Sequence, residues 1–383
     1  MSGVGLVSLP PMQVAARAAR VRDELDGAGC DALLVTKLVN IRYLTGFTGS
    51  AAMVLVTPDS LLLVTDGRYR DQATEQLQAA GVDASVSIGL TAEEQYRVLE
   101  GAASGLRLGL EAHVVTWAQQ RAMVERWFRN AAELVATEGV VEALRLVKDD
   151  GEVARIEAAA TIATDALRGL LPRLFERPTE NDFGLELDTA IRRLGAEGTS
   201  FDTIVAAGLN GAKPHHRAAG SSRRIEEGDL VVVDYGALVD GYCSDMTRTF
   251  CIGEPSPVQR RMLDVVTAAQ AAGVAVVAAG AETKAVDDAC RALIGEAGWA
   301  EAFSHGTGHG VGLEIHEDPR VSWSTTATLA PGHVVTVEPG VYLPEHGGVR
   351  IEDTVVVTQD GCRPLTHAPK DPDPHRWPSA PTT

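Results

Sequence analysis

The sequence predicts a small α/β domain over residues 1–147, then a larger domain over 148–365 that begins with helices and continues into strands, and a Pro-rich tail over 366–383. Three observations point this way. The 383 residues exceed what one hydrophobic core usually serves. From Asp31 short β-type runs alternate with helical ones, and near residue 147 that texture gives way to a helix-start signal.

In the first domain, ALLVT (32–36), AAMVLVT (51–57) and LLLVT (61–65) are short, apolar and β-branched, as strands are. RDQATEQLQAA (70–80) has helical character, and LRLGLEA (106–112) returns to a strand pattern. At Lys148–Glu152, Asp149 can cap a helix with Glu152 three residues on, which sets the domain boundary. Helices are expected from about Glu152 to Phe175 and from Phe183 to Leu194, and strand-rich sequence begins at Phe201. Ala271 to Ala281 is too short to cross a bilayer and reads as a buried Ala-rich helix. Past Leu365, prolines at 369, 372, 374, 378 and 381 exclude a helix or central strand, so a flexible or extended tail is expected.

Composition narrows the function. Hydrophobic residues are 45% and charged residues 22%, as in a soluble globular protein. Asp plus Glu is 52 against 34 Lys plus Arg, a net charge of −18 that repels phosphate backbones and anionic lipid, so neither nucleic acid nor membrane is an expected partner. Five scattered cysteines without a C-x-x-C pair argue against a disulfide framework or a thiolate zinc site and for a reducing cytoplasm. No signal peptide is evident in MSGVGLVSLPPM.

Chemistry concentrates in three segments. In GDLVVVDYGALVDGYCSDMTRTF (228–250), two β-type runs flank Asp240-Gly241, a dipeptide suited to a type I′ hairpin turn. With that turn, Asp234 lies opposite Thr247 and Asp245 opposite Gly236, all on one face. The two carboxylates are then diagonal neighbours, roughly 5.5 to 8 Å apart at Cα, able to share a cation for which Gly236 leaves room. Without a cation they can equally be solvated strand acids. In SHGTGHGVGLEIHE (304–317), three imidazoles sit among alternating glycines that preclude a regular helix and fit no dinucleotide or phosphate loop. In HVVTVEPGVYLPEHGGVRIEDTVVVT (333–358), Glu338 ends an apolar run and Glu352 interrupts another, which is costly unless the carboxylate is paired, for instance with Arg350, or bound to metal. Four carboxylates and one to three histidines at strand ends are the donor set of a site for two divalent cations.

The segments VVVDYG, SDMTRTF, HGTGHGVGLEIHE, VEPGVY and GGVRIEDT, in this order, resemble those of the creatinase-like metallopeptidases, and VNIRYLTGFTGS (39–50) with TDGRY (65–69) resembles their N-terminal domain. This family includes Xaa-Pro aminopeptidases, Xaa-Pro dipeptidases (prolidases) and methionine aminopeptidases. The resemblance implies an α+β "pita-bread" domain with a curved antiparallel sheet behind the α/β domain. It places Asp234, Asp245, His309, Glu338 and Glu352 on the five metal ligands, with Asp245 and Glu352 bridging two ions. It places His215, Tyr342 and Arg350 on substrate-binding positions and His305 and His316 on catalytic ones, while His216 leaves open which of the adjacent imidazoles points inward. The ions implied are two Mn2+, with Co2+ or Zn2+ as alternatives, since a hard anionic cage favours manganese.

The chemistry implied is hydrolysis by a metal-bridging hydroxide, with Glu338 shuttling the proton and His305 or His316 stabilising the oxyanion. The activity expected first is removal of the residue before a proline in second position of a peptide, by an Xaa-Pro aminopeptidase. A prolidase restricted to dipeptides is the alternative. The N-terminal domain argues against a methionine aminopeptidase, and the complete ligand set against a metal-free C–N hydrolase or a binding module on the same fold. A homodimer is also implied. For a terminal carboxylate, Arg350 and Arg217 are the guanidinium groups the sequence offers.

Overall fold

The strand-type runs of the N-terminal half assemble into one six-stranded sheet. In the computed structural model, which describes residues 9–378, one unit spans Met12–Arg145, and the second comprises the chain from Leu146 together with residues 9–11, which the sequence assigns to the first domain. The first contains α1 (Arg17–Leu25), β1 (Ala32–Val35), α2 (Leu38–Thr45), β2 (Ala52–Val56), β3 (Leu61–Thr65), α3 (Arg70–Ala79), β4 (Ser85–Ile88), α4 (Ala92–Ala102), β5 (Arg107–Glu111), α5 (Trp117–Ala122), β6 (Glu133–Thr137) and α6 (Val140–Arg145). Its strand order is β4-β3-β2-β1-β5-β6, antiparallel between β1, β2 and β3 and parallel elsewhere. β1 is buried along its whole length, which is why ALLV reads as a continuous apolar run rather than an alternating one.

The second unit opens with α7 (Asp150–Leu170) and α8 (Glu180–Arg193). The α7 capping box forms as the sequence predicts: Asp149 accepts from the Glu152 N–H at 2.9 Å, and Glu152 accepts from the Asp149 N–H at 3.0 Å. α7 stops five residues short of Phe175, because Pro172 cannot continue it and a 3-10 turn takes over at Leu171–Glu176. α8 starts three residues before Phe183, because Thr179 caps it. The strands that follow are β7 (Gly198–Thr199), β8 (Ile204–Ala207), β9 (Leu230–Tyr235), β10 (Ala237–Val239), β11 (Tyr242–Cys243) and β12 (Met246–Cys251). After α9 (Pro257–Val276) and α10 (Thr283–Glu296) come β13 (Gly308–Gly310), β14 (Glu317–Val321), β15 (Val334–Val337), β16 (Gly340–Leu343), β17 (Gly347–Arg350), β18 (Asp353–Val357) and β19 (Cys362–Pro364). The Ala-rich stretch is helical only to Val276; Val277 is extended and Gly280 is left-handed. No helix among the described residues is long and apolar enough to cross a membrane.

Every strand pairing in this unit is antiparallel, in sheets ordered β12-β9-β8, β11-β10-β7, β14-β13-β15-β18-β19 and β16-β17. The Asp240-Gly241 turn has positive φ at both residues, 48° and 72°. Its register carries through β9 and β12, placing Asp234 opposite Thr247. Gly236 does not make room for a cation: a Cβ there would lie 1.9 Å from the Ser244 carbonyl oxygen and 2.1 Å from the Ser200 hydroxyl. The glycine instead lets the hairpin backbone cross itself where it passes from one sheet to another.

The Pro-rich tail is extended except for a 3-10 turn at Pro374–Arg376, which a proline at its first position permits, and it is packed down rather than loose through residue 378. Ala368 and Trp377 are buried in the apolar cluster that contains Met246 and Phe250, with the Phe250 and Trp377 rings 5.5 Å apart. Pro372 accepts from the Cys251 N–H at 2.8 Å, so the tail runs along β12, an outer strand of its sheet.

Candidate metal centre and active site

Strand ends bring the five expected ligands to one cleft of about 440 Å³ in the second unit. Asp234 lies on β9, Asp245 just before β12, His309 in β13, Glu338 just after β15, and Glu352 between β17 and β18. Asp245, His309 and Glu352 are buried, each offering a ligand atom within 4.8 Å of the other two. His309 Nε2 is 3.5 Å from Asp245 Oδ2 and 3.4 Å from Glu338 Oε1. Asp234 lines the same cleft, and its Oδ1 and the Glu352 Oε1 are buried without a hydrogen-bond partner.

The electrostatics describe a cage short of positive charge. Burial, reinforced by Glu352, Asp234 and Glu338, pushes the Asp245 carboxyl well above its usual range. Burial, with Glu338 and Asp234 nearby, does the same to Glu352. Burial also drives Glu338 up to about 8, against the pull of Arg350. Four carboxylates in one pocket, two of them with orphaned oxygens, are stable as anions only around cations, so the donor set fits divalent metal. The imidazole agrees. His309 donates from Nδ1 to the Gly310 carbonyl at 3.0 Å and burial lowers its pKa to about 3, so a neutral ring aims the Nε2 lone pair at the carboxylates.

The other expected residues divide into those facing the cleft and those behind it. His215, His305 and His316 line it. His216 turns away and bonds the fully buried Glu180 at 3.0 Å, which leaves His215 as the inward imidazole. His316 packs against His309 with ring centroids 4.4 Å apart, and its ring nitrogens carry no hydrogen bond among the described residues. His305 is committed: its Nδ1 donates to the Gly306 carbonyl at 2.8 Å, so Nε2 accepts from the Tyr342 hydroxyl at 2.8 Å, in a ring whose pKa burial lowers to about 4. Tyr342 is buried behind that contact and in turn accepts from Arg350 at 2.8 Å. Arg350 is not the partner of Glu352. Its second terminal nitrogen donates to Asp234 at 2.6 Å, and its Nε to the Thr247 hydroxyl at 3.1 Å. Arg217 lies outside this cleft, at a separate depression beside Asn181 and Asp188.

The sequence places Thr247 on the ligand face but not its bond to Glu352, and it does not single out Thr336 or Arg320 at all. Thr247 donates to Glu352 Oε2 at 2.7 Å, and Thr336 accepts from the His309 N–H at 3.1 Å. Both lie two residues along a strand from a ligand, on the same face, and that spacing is a usable signal. Arg320, four residues past His316, lines the cleft with an exposed guanidinium that makes no hydrogen bond or ion pair with the described residues. Phe201, Ile204, Ile315 and a half-exposed Trp323 supply apolar walls.

Residues 154–359 match metallopeptidase family M24, and residues 17–147 match the creatinase/prolidase N-terminal domain. An Xaa-Pro dipeptidase of Pyrococcus horikoshii is 34% identical over 354 residues, 92% of this chain and 97% of that protein. Among solved structures, an Xaa-Pro dipeptidase from Bacillus anthracis superposes with a TM-score of 0.87 at 39% identity, covering 94% of this chain and 99% of the other. An X-Pro aminopeptidase from Thermotoga maritima superposes with a TM-score of 0.84 at 33% identity, covering 93% and 99%. With a creatinase-type N-terminal domain followed in sequence by a pita-bread catalytic part, the chain belongs to metallopeptidase family M24.

Proposed function

We propose that this metallopeptidase is an Xaa-Pro dipeptidase, which reverses the order of the two activities expected from the sequence. The observation that carries the choice is Arg320. A dipeptidase must recognise the free carboxylate that follows proline, and Arg320 offers an uncommitted guanidinium inside the cleft, whereas Arg350 is buried on Asp234 and Arg217 lies elsewhere. Dipeptidase relatives at 34% and 39% identity support the same reading, and the aminopeptidase from Thermotoga maritima keeps the longer-peptide activity as the second one.

Asp234, Asp245, His309, Glu338 and Glu352 would hold two cations, most simply Mn2+, with Asp245 and Glu352 serving both. When bound, the ions supply Lewis-acid polarisation of the scissile carbonyl and a water acidic enough to attack near neutral pH. The chain's own residues do the rest. Glu338 takes the water's proton and returns it to the leaving proline nitrogen. His316, the imidazole with free ring nitrogens, donates to the oxyanion as the carbonyl becomes tetrahedral. His305 has no N–H left for that task and holds the cleft wall through Tyr342 and Arg350. His215 lines the cleft and is assigned to the substrate, and the apolar walls Phe201, Ile204 and Ile315 are assigned to the prolyl ring.

The test is kcat/KM of metal-reconstituted protein on an Xaa-Pro dipeptide and on its Xaa-Pro-Yaa extension. A loss of tenfold or more on extension, about 1.4 kcal/mol in transition-state binding, supports the dipeptidase. Equal or better cleavage of the tripeptide restores the aminopeptidase.

A further inference from the structure

We propose that the C-terminal segment 366–373 is a working part of the metal centre: Lys370 and the carbonyls of Ala368 and Pro369 clamp Arg248 and Asp353, and this clamp sets the main chain that carries Glu352. Arg248, Asp353 and Lys370 are thereby positioning residues for metal binding. The inference rests on Glu352 being a metal ligand.

The starting point is a cation on the wrong face of a strand. Along β12 the side chains alternate; Thr247 and Thr249 bond to Glu352 and to the Arg350 carbonyl, while Met246 and Phe250 enter the apolar core. Arg248 lies on the core face between the latter two and is 2% exposed. A guanidinium there is tolerable only if every N–H finds an acceptor. All five do. Nε donates to the Pro369 carbonyl at 2.8 Å; one terminal nitrogen donates to the Thr247 and Glu352 carbonyls at 2.9 and 2.5 Å; the other donates to Asp353 Oδ1 at 2.7 Å and to the Ala368 carbonyl at 2.8 Å.

These acceptors join two places that sequence keeps apart. Two of the five belong to the tail, which lies beyond the family match ending at residue 359. One is the carbonyl of Glu352 itself. The Glu352 N–H is held as well, donating to the Thr247 carbonyl at 3.1 Å, so β12 grips both polar groups of that residue's backbone. Only the carboxylate remains to be aimed, and Thr247 takes one of its oxygens, leaving the other without a protein partner. The next residue, Asp353, completes the clamp: its second oxygen accepts from Lys370 at 2.5 Å and from Gln270 at 3.1 Å, and Lys370 donates to Gln270 at 2.7 Å. Outer partners that fix a ligand's orientation typically change metal affinity by roughly ten- to a hundredfold when removed.

The experiment uses the full chain stripped of metal, with Mn2+ titrated calorimetrically, alongside the melting temperature of the metal-free protein and kcat and KM on an Xaa-Pro dipeptide. Lys370→Met removes one arm of the clamp at a partly exposed position, so the fold is not at risk. It is expected to weaken Mn2+ binding by roughly tenfold or more and to lower kcat, with KM within about twofold at saturating Mn2+. Lys370→Arg is expected to restore both. Trp377→Ala, which removes the ring's packing on Phe250 and its 3.1 Å hydrogen bond to the Asp371 carbonyl but none of the donors or acceptors around Arg248 and Asp353, is expected to lower the melting temperature and leave Mn2+ affinity within about threefold. Wild-type Mn2+ affinity in Lys370→Met, or an equal loss in Trp377→Ala, overturns the inference and leaves the tail as packing alone. Absence of Mn2+ binding by the wild-type protein overturns the metal reading itself.

Discussion

Replacing Arg320 by Met removes the guanidinium while keeping most of the apolar stem, and so isolates the charge proposed to receive the substrate's carboxylate. Arg320 is exposed and unpaired among the described residues, so the relevant dielectric lies between those of water and a protein surface. Two unit charges about 4 Å apart are then worth roughly 1 to 4 kcal/mol, and about 2 kcal/mol is a fair centre for a two-pronged contact in a cleft. That corresponds to roughly 30-fold in kcat/KM. The assay compares an Xaa-Pro dipeptide with its C-terminal amide on wild-type and variant protein. The wild type should prefer the free acid by about the same 30-fold, and the variant should treat the two alike, with the amide little changed by the substitution. If Arg320→Met lowers both substrates equally, or leaves the dipeptide within about threefold of wild type, Arg320 does not bind the carboxylate and the argument for a dipeptidase loses its structural basis.

The metal site yields three further expectations. Asp245→Ala and Glu352→Ala should abolish activity and lower bound metal, because each carboxylate is assigned to both cations; two ions and near-normal turnover in either variant, read by elemental analysis, would reject the shared assignment. His316→Ala should keep its metal and lose roughly 10²- to 10³-fold in kcat, as removal of an oxyanion donor does, and loss of metal would move this imidazole into the ligand set. The metal-free protein should become less stable as pH rises. Glu338 has its folded-state pKa raised to about 8, and Asp245 and Glu352 shift in the same direction, so their stabilising contribution is complete below the ordinary carboxylate range and disappears as pH climbs through about 8. Thermal melts of chelator-treated protein across pH 5 to 9 should therefore slope downward, and Mn2+ should flatten them; an unchanged slope with metal would place the ions elsewhere.

Much of this site was legible in the sequence because its chemistry is carried by local pattern. Asp240-Gly241 dictates a turn, the turn dictates the register, and the register puts Asp234 opposite Thr247 without any tertiary information. The α7 capping box is local in the same way. What failed depended on contacts distant in sequence. Gly236 looked like space for a cation, and the space belongs to Ser244 and Ser200. Arg350 looked like a partner for the nearby Glu352, yet it reaches across to Asp234, 116 positions away. Arg320 resembles any surface arginine until the strand that carries it is seen at the cleft. The tail's prolines rule out a central strand, yet Pro374 opens a short 3-10 turn, and proline content says nothing about whether an extended segment finds a groove to lie in.

The way the tail lies against β12 bears on how readily a second chain could pair with that strand. β12 is the outermost strand of its sheet, and an outer strand with unpaired N–H and C=O groups is a template onto which a second chain can add itself. The carbonyl of Pro372 occupies the Cys251 N–H, and prolines at 369, 372 and 374 give the covering segment few N–H groups of its own with which to recruit another strand. The Cys251 end of the sheet edge is thus covered by a strip that accepts a hydrogen bond but offers few. A chain cut before Ala368 would uncover the Cys251 end of β12, the rest of whose edge is held by residues 350–352, together with the apolar face around Phe250, and its first failure would be association through that patch, visible by light scattering at temperatures where the intact protein remains clear.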